Sequence, residues 1–108
     1  MKIELNTYDI ADYLLKDSYA SWTHSGAREM AEWLEEMEED SGTEMDFDRV
    51  AIRCEYAEYF SIADAAGAHG WEPDEHEFYE QHNAAARQFL ELNTEIRIFN
   101  GGVIIRKF

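Results

Sequence analysis

The stretch Thr94-Glu-Ile-Arg-Ile-Phe-Asn-Gly-Gly-Val-Ile-Ile-Arg-Lys107 decides the fold. Asn-Gly between β-branched runs is a strong hairpin signal, because both residues tolerate the positive φ that a tight turn demands. The spacing predicts strands over Thr94 to Phe99 and Val103 to Lys107, joined at Asn100-Gly101-Gly102. Upstream, Val50, Ile52, Cys54 and Tyr56 alternate with Ala51, Arg53 and Glu55, which predicts a strand over Arg49 to Tyr56. Met1, Ile3 and Leu5 alternate with Lys2 and Glu4, which is compatible with one more. The expected sheet is antiparallel and has three to four strands.

The segments between carry helical spacing. Ile10, Ala11, Leu14 and Leu15 predict a helix over about Tyr8 to Lys16 with Thr7 as its cap. In the following link, Tyr19 and Trp22 are expected to anchor on the core. A longer helix over about Ser25 to Asp40 has Ser25 as N-cap, Ser41-Gly42 as its stop, and Ala27, Met30, Trp33, Leu34 and Met37 as its apolar stripe. Ser61-Ile-Ala-Asp64 opens a short helix ending near Gly67 or Gly70. Pro73, Asp74 and Glu77 open the last one, with Phe78, Tyr79, Ala85, Ala86, Phe89 and Leu90 on its apolar face and Asn93 at its end. The fold class is therefore α+β: about four helices on one face of the sheet, in a single domain over residues 1–108.

The composition allows such a core. Of the 108 residues 45% are hydrophobic and 14% aromatic, which argues against a disordered acidic tail. One cysteine cannot form an internal disulfide, the N-terminus lacks the apolar core of an export signal, and no apolar run reaches the roughly 18 residues of a membrane span. A protein of the reducing cytoplasm is expected.

Charge is the outstanding feature. Twenty-four acids against nine bases give a net charge of −15, well beyond the magnitude of about 2–8 that keeps a small domain soluble. Such a field repels nucleic acid and anionic lipid, so direct binding to either is not expected. The acids are also unevenly spread: ten fall between Glu29 and Asp48 and eight between Glu55 and Glu80, with no lysine or arginine in either run. Five bases, Arg49, Arg53, Arg97, Arg106 and Lys107, fall on or beside the expected strands. Within the longest helix, Glu29, Glu32, Glu36 and Glu39 form one row and Glu35 and Glu38 a second. Paired rows of carboxylates share the sign and approximate spacing of nucleic-acid phosphates, which recur about every 3.4 Å along each strand. The expected contact residues are Glu29, Glu32, Glu35, Glu36, Glu38, Glu39, Asp40, Glu44, Asp46 and Asp48. An ordinary solvated helix face is the competing reading.

The stretch from Leu34 to Tyr59, Leu-Glu-Glu-Met-Glu-Glu-Asp-Ser-Gly-Thr-Glu-Met-Asp-Phe-Asp-Arg-Val-Ala-Ile-Arg-Cys-Glu-Tyr-Ala-Glu-Tyr, resembles small acidic proteins encoded by bacteriophages and prophages, as does the closing Asn100-Gly-Gly-Val-Ile-Ile-Arg-Lys-Phe108. The quoted stretches make up about a third of the chain. In size and charge the chain is also similar to phage anti-restriction and anti-CRISPR proteins, several of which mimic DNA. It carries no motif of the long, mostly helical anti-restriction mimics, and the C-terminal hairpin departs from them. The resemblance implies a counter-defence inhibitor in a bacterial host, occupying the nucleic-acid site of an immune or restriction complex.

Catalytic chemistry has little support. His76 and Glu80 lie one helical turn apart, but His-Glu-Phe-Tyr-Glu-Gln-His is not the His-Glu-x-x-His zinc pattern, and His82 falls about 240° away around the axis. Cys54, alternating with Val50 and Ile52, reads as a buried, inert thiol. No Gly-x-Ser-x-Gly or P-loop is present, so no catalytic residue, metal or cofactor is expected. Three functions remain, in order: a DNA-mimic inhibitor of a basic host protein or nucleoprotein complex; an adaptor or inhibitor docking through its sheet or exposed aromatics, with acid for solubility and steering; and, last, an enzyme or metal protein around His76 and His82.

Overall fold

The turn at Asn100-Gly101 closes the expected hairpin, and only Gly101 there takes a positive φ, 120°. The computed structural model describes residues 6–43, 46–73 and 79–108. The expected strand at Met1 to Leu5, the contact residue Glu44, His76, and the helix opening at Asp74, Glu77 and Phe78 lie outside the described residues, as do the side chains of Tyr79 and Glu80. Among the described residues, five helices and three strands follow in order: α1 (Thr7–Leu15), α2 (His24–Ser41), α3 (Arg49–Glu55), β1 (Tyr56–Tyr59), α4 (Ile62–Ala68), α5 (Tyr79–Asn93), β2 (Ile96–Phe99) and β3 (Gly102–Arg106). They form two compact units, Met1–Cys54 and Glu55–Phe108.

In the first unit α1 packs on α2. Asn6, one residue ahead of the expected Thr7, caps α1: its side chain accepts from the Asp9 amide while the Asp9 carboxylate accepts from the Asn6 amide. Thr23 rather than Ser25 caps α2, its hydroxyl oxygen accepting from the Gly26 amide at 2.9 Å. Gly42 ends α2 in the left-handed region at φ 68°. Ile10 and Leu14 of α1 are fully buried, as are Ala27, Met30 and Ala31 of α2, with Leu34 nearly so. The buried stripe thus takes Ala31 in place of the expected Trp33 and Met37, which are half-buried.

The expected strand from Arg49 is instead α3, and β1 begins only at Tyr56. Asp48 explains the difference: its carboxylate accepts from the Val50 and Ala51 amides at 3.0 and 3.2 Å, and its carbonyl accepts from Ile52. That cap starts a helical turn that the two-residue alternation does not reveal. On α3 Ile52 is buried, Val50 is half-exposed and Cys54 is exposed, so the inert buried thiol expected there is overturned. Arg49 and Arg53 accordingly sit on a helix, not with the sheet. Tyr19, expected as a core anchor, is 85% exposed, whereas Trp22 is half-buried.

Asp17 locks this unit together. It is 5% exposed, and its Oδ1 accepts from Arg53 Nη1 at 2.8 Å and from the Tyr19 amide at 3.1 Å. The pair ties α3 to the link between α1 and α2, and removing one partner of a buried ion pair is strongly destabilising.

In the second unit the sheet order is β1-β3-β2, all antiparallel. Ser61 caps α4 as expected, accepting from the Asp64 amide at 3.0 Å. Ala65 and Ala66 of α4, Ala86 and Leu90 of α5, and Val103 and Ile105 of β3 form one buried cluster flanked by Tyr59, Ile62, Trp71, Phe89 and Ile96. Small side chains on α4 let the helix sit close to the strand, and burial of each Val, Ile or Leu contributes about 1.5–3 kcal/mol. A Cβ on Gly102 would overlap the Tyr59 carbonyl oxygen on β1, so this position requires glycine for a close backbone approach. Thr94 Oγ1 donates to the Arg106 carbonyl at 2.5 Å and closes the end of the hairpin.

Candidate acidic interface

Helix geometry sorts the carboxylates of α2. At 3.6 residues per turn, the side opposite the buried stripe of Ala27, Met30, Ala31 and Leu34 carries Glu29, Glu32, Glu36 and Asp40, with Glu39 beside them. Glu36, Glu39 and Asp40 are exposed, and Glu29 and Glu32 are half-exposed. From Glu29 to Asp40 the axis rises about 16 Å, so these five carboxylates average roughly one per 4 Å. Arg28 approaches Glu32 at 3.5 Å across an exposed i, i+4 step, a pairing of small energetic weight.

The second expected row does not form an open line. Glu35 turns to the flank facing α1 and accepts from Thr7 Oγ1 at 2.8 Å. Glu38 is half-buried and falls on the side of the buried stripe. Asp46 and Asp48 are exposed, but Asp48 is committed to capping α3. Of the ten expected contact residues, five therefore share one outward side of α2.

The electrostatics of α2 run against its backbone. A helix favours acids at its N-terminus and bases at its C-terminus, by about 0.3–1 kcal/mol per group. Here the first turn has no acid and the last no base; Glu38, Glu39 and Asp40 crowd the negative end instead. Seven pairs of acids, from Glu29–Glu32 to Glu36–Asp40, also stand three or four residues apart, each repelling by roughly 0.3 kcal/mol. Folding of α2 gains nothing from this arrangement.

The basic side chains are largely occupied or dispersed. Arg53 holds Asp17, Arg87 holds Glu91 and Lys16 holds Asp12, each at 2.8 Å. On β2 and β3, Arg97 is half-buried and Arg106 is exposed. Burial raises the Tyr56 phenol above its ordinary pKa, with nearby Arg106 opposing and Glu55 and Glu95 reinforcing the shift.

Among the described residues no three His, Cys, Asp or Glu side chains come together to hold a metal ion, and no helix is long and apolar enough to cross a membrane. His82 is half-buried on α5. No protein-family model, curated protein or solved structure matches the chain. Sequence reasoning missed the exposed Tyr8 of α1 and Tyr19 of the following link; residue type alone does not say which rings stay outside.

Proposed function

We propose that the chain is an acidic inhibitor that acts by binding, not by catalysis, and that α2 is its contact element. Its outward carboxylates occupy the cationic, nucleic-acid-binding groove of a larger host protein or nucleoprotein complex, as a decoy for DNA. The resemblance to phage proteins makes the natural setting the cytoplasm of a bacterial host and the target a CRISPR effector or restriction enzyme. The observation that carries this reading is the set Glu29, Glu32, Glu36, Glu39 and Asp40 on one side of a single helix, in a charge order that opposes the helix macrodipole. Acids selected for solubility alone would gain by sitting at the other end of α2.

Electrophoretic competition tests it: equimolar protein displaces labelled DNA from the target complex, and Glu32→Lys with Glu36→Lys and Glu39→Lys abolishes the displacement. Reversal of Arg97 and Arg106 has a smaller effect. If no CRISPR effector, restriction enzyme or other DNA-binding complex loses its DNA, the proposal is wrong.

A further inference from the structure

Tyr8 and Tyr19 are 73% and 85% exposed, yet each lies under a guanidinium of the chain itself. The Arg28 guanidinium stands 5.6 Å from the Tyr8 ring centroid, and that of Arg53 stands 5.2 Å from the Tyr19 centroid. Tyr13 repeats the arrangement with Lys16 at 5.9 Å, but Phe47 packs against it at 5.8 Å and it is less open. Rings this exposed, with one face under an arginine, present the other face to solvent. They stand in a chain of net charge −15, with Asp9 and Asp12 exposed on the same helix as Tyr8.

We infer that Tyr8 and Tyr19 each add a contact for the same basic partner, reading guanidinium groups in preference to ammonium groups. The inference rests on the decoy reading of α2 and adds the chemistry of the partner's cations. A guanidinium is planar and weakly hydrated and stacks on an aromatic face, whereas an ammonium is a compact, strongly hydrated point charge. Carboxylates also favour arginine through paired hydrogen bonds. The diagnostic quantity is therefore the share of the arginine preference that disappears with the rings.

The test uses the intact chain with fluorescein-labelled hexa-arginine and hexa-lysine, titrated by fluorescence anisotropy in 50 mM salt. The unmodified chain binds hexa-arginine more tightly. Tyr8→Leu with Tyr19→Leu lowers the ratio of the two affinities about fivefold or more, from two exposed stacking contacts. Tyr8→Leu alone, which leaves the Asp17–Arg53 region intact, lowers it by about half that factor on a logarithmic scale. Glu29→Gln with Glu32→Gln and Glu36→Gln weakens both peptides and leaves the tyrosine-dependent share of the ratio in place. A ratio that the tyrosine variants leave unchanged overturns the inference while leaving the decoy reading standing. Unchanged binding by the glutamine variant removes α2 from the contact but not the tyrosines, and failure of both peptides to bind overturns both.

Discussion

Replacement of Glu39 and Asp40 by lysine should make the free chain more stable and a poorer inhibitor. Both residues lie in the last turn of α2, are exposed, and face the C-terminal end of the helix dipole with no base nearby in that turn. Each reversal removes an unfavourable end-charge interaction and supplies a favourable one, for about 0.5 kcal/mol per site on the exposed-group scale. The change also converts the Glu35–Glu39 and Glu36–Asp40 repulsions into Glu-to-Lys pairs at i, i+4, the better orientation, for about 0.5 kcal/mol each. The sum is about 2 kcal/mol at low salt, which for a chain of this size raises the thermal midpoint by roughly 8 °C. Thermal unfolding by circular dichroism in 20 mM and 500 mM salt checks it, with the gain shrinking at high salt as screening sets in. A midpoint that falls, or a rise that salt leaves untouched, refutes the electrostatic description of α2.

Three further outcomes follow from the packing. Arg53→Leu leaves Asp17 buried without its partner and costs about 3 kcal/mol, while Asp17→Leu with Arg53→Leu recovers most of it; urea unfolding of the three proteins measures both. Tyr56 has a phenol pKa raised by burial, so its neutral form is favoured by folding: that contribution is whole below the unfolded pKa near 10 and is lost as pH rises through the folded value. Tyr56→Phe should accordingly flatten the alkaline limb of the stability profile, as urea unfolding at rising pH measures. Cys54, exposed on α3, should react fully with a thiol reagent in native buffer, and a thiol that reacts only in denaturant would contradict its position.

The hairpin, α4 and the α+β class were legible because each is written locally. Asn-Gly with β-branched flanks forces a reversal, and Ser61 three residues ahead of Asp64 announces a cap. The alternation from Val50 to Tyr56 misled because Asp48 captures two amides and starts a helix before the pattern can act. Within α3 only Ile52 needs burial, and a helix satisfies one buried residue as well as a strand does. The spacing leaves Ala31 off the apolar stripe of α2 because alanine is equally at home on either side, and packing against α1 decides. For the interface, spacing alone placed Glu29, Glu32, Glu36 and Glu39 on one side. It could not reveal that Thr7 engages Glu35 or that Asp48 is taken by a cap, since both depend on which segments meet.

If α2 binds by Coulomb attraction between its outward carboxylates and a cationic groove, the affinity for the partner must depend on salt. For the partner isolated by affinity capture from bacterial lysate, log affinity should fall steeply and linearly with log salt concentration. The slope should become shallower with Glu29→Gln, Glu32→Gln and Glu36→Gln, and duplex DNA should displace the chain. An affinity indifferent to salt, or a complex that binds DNA and the chain together, would contradict it.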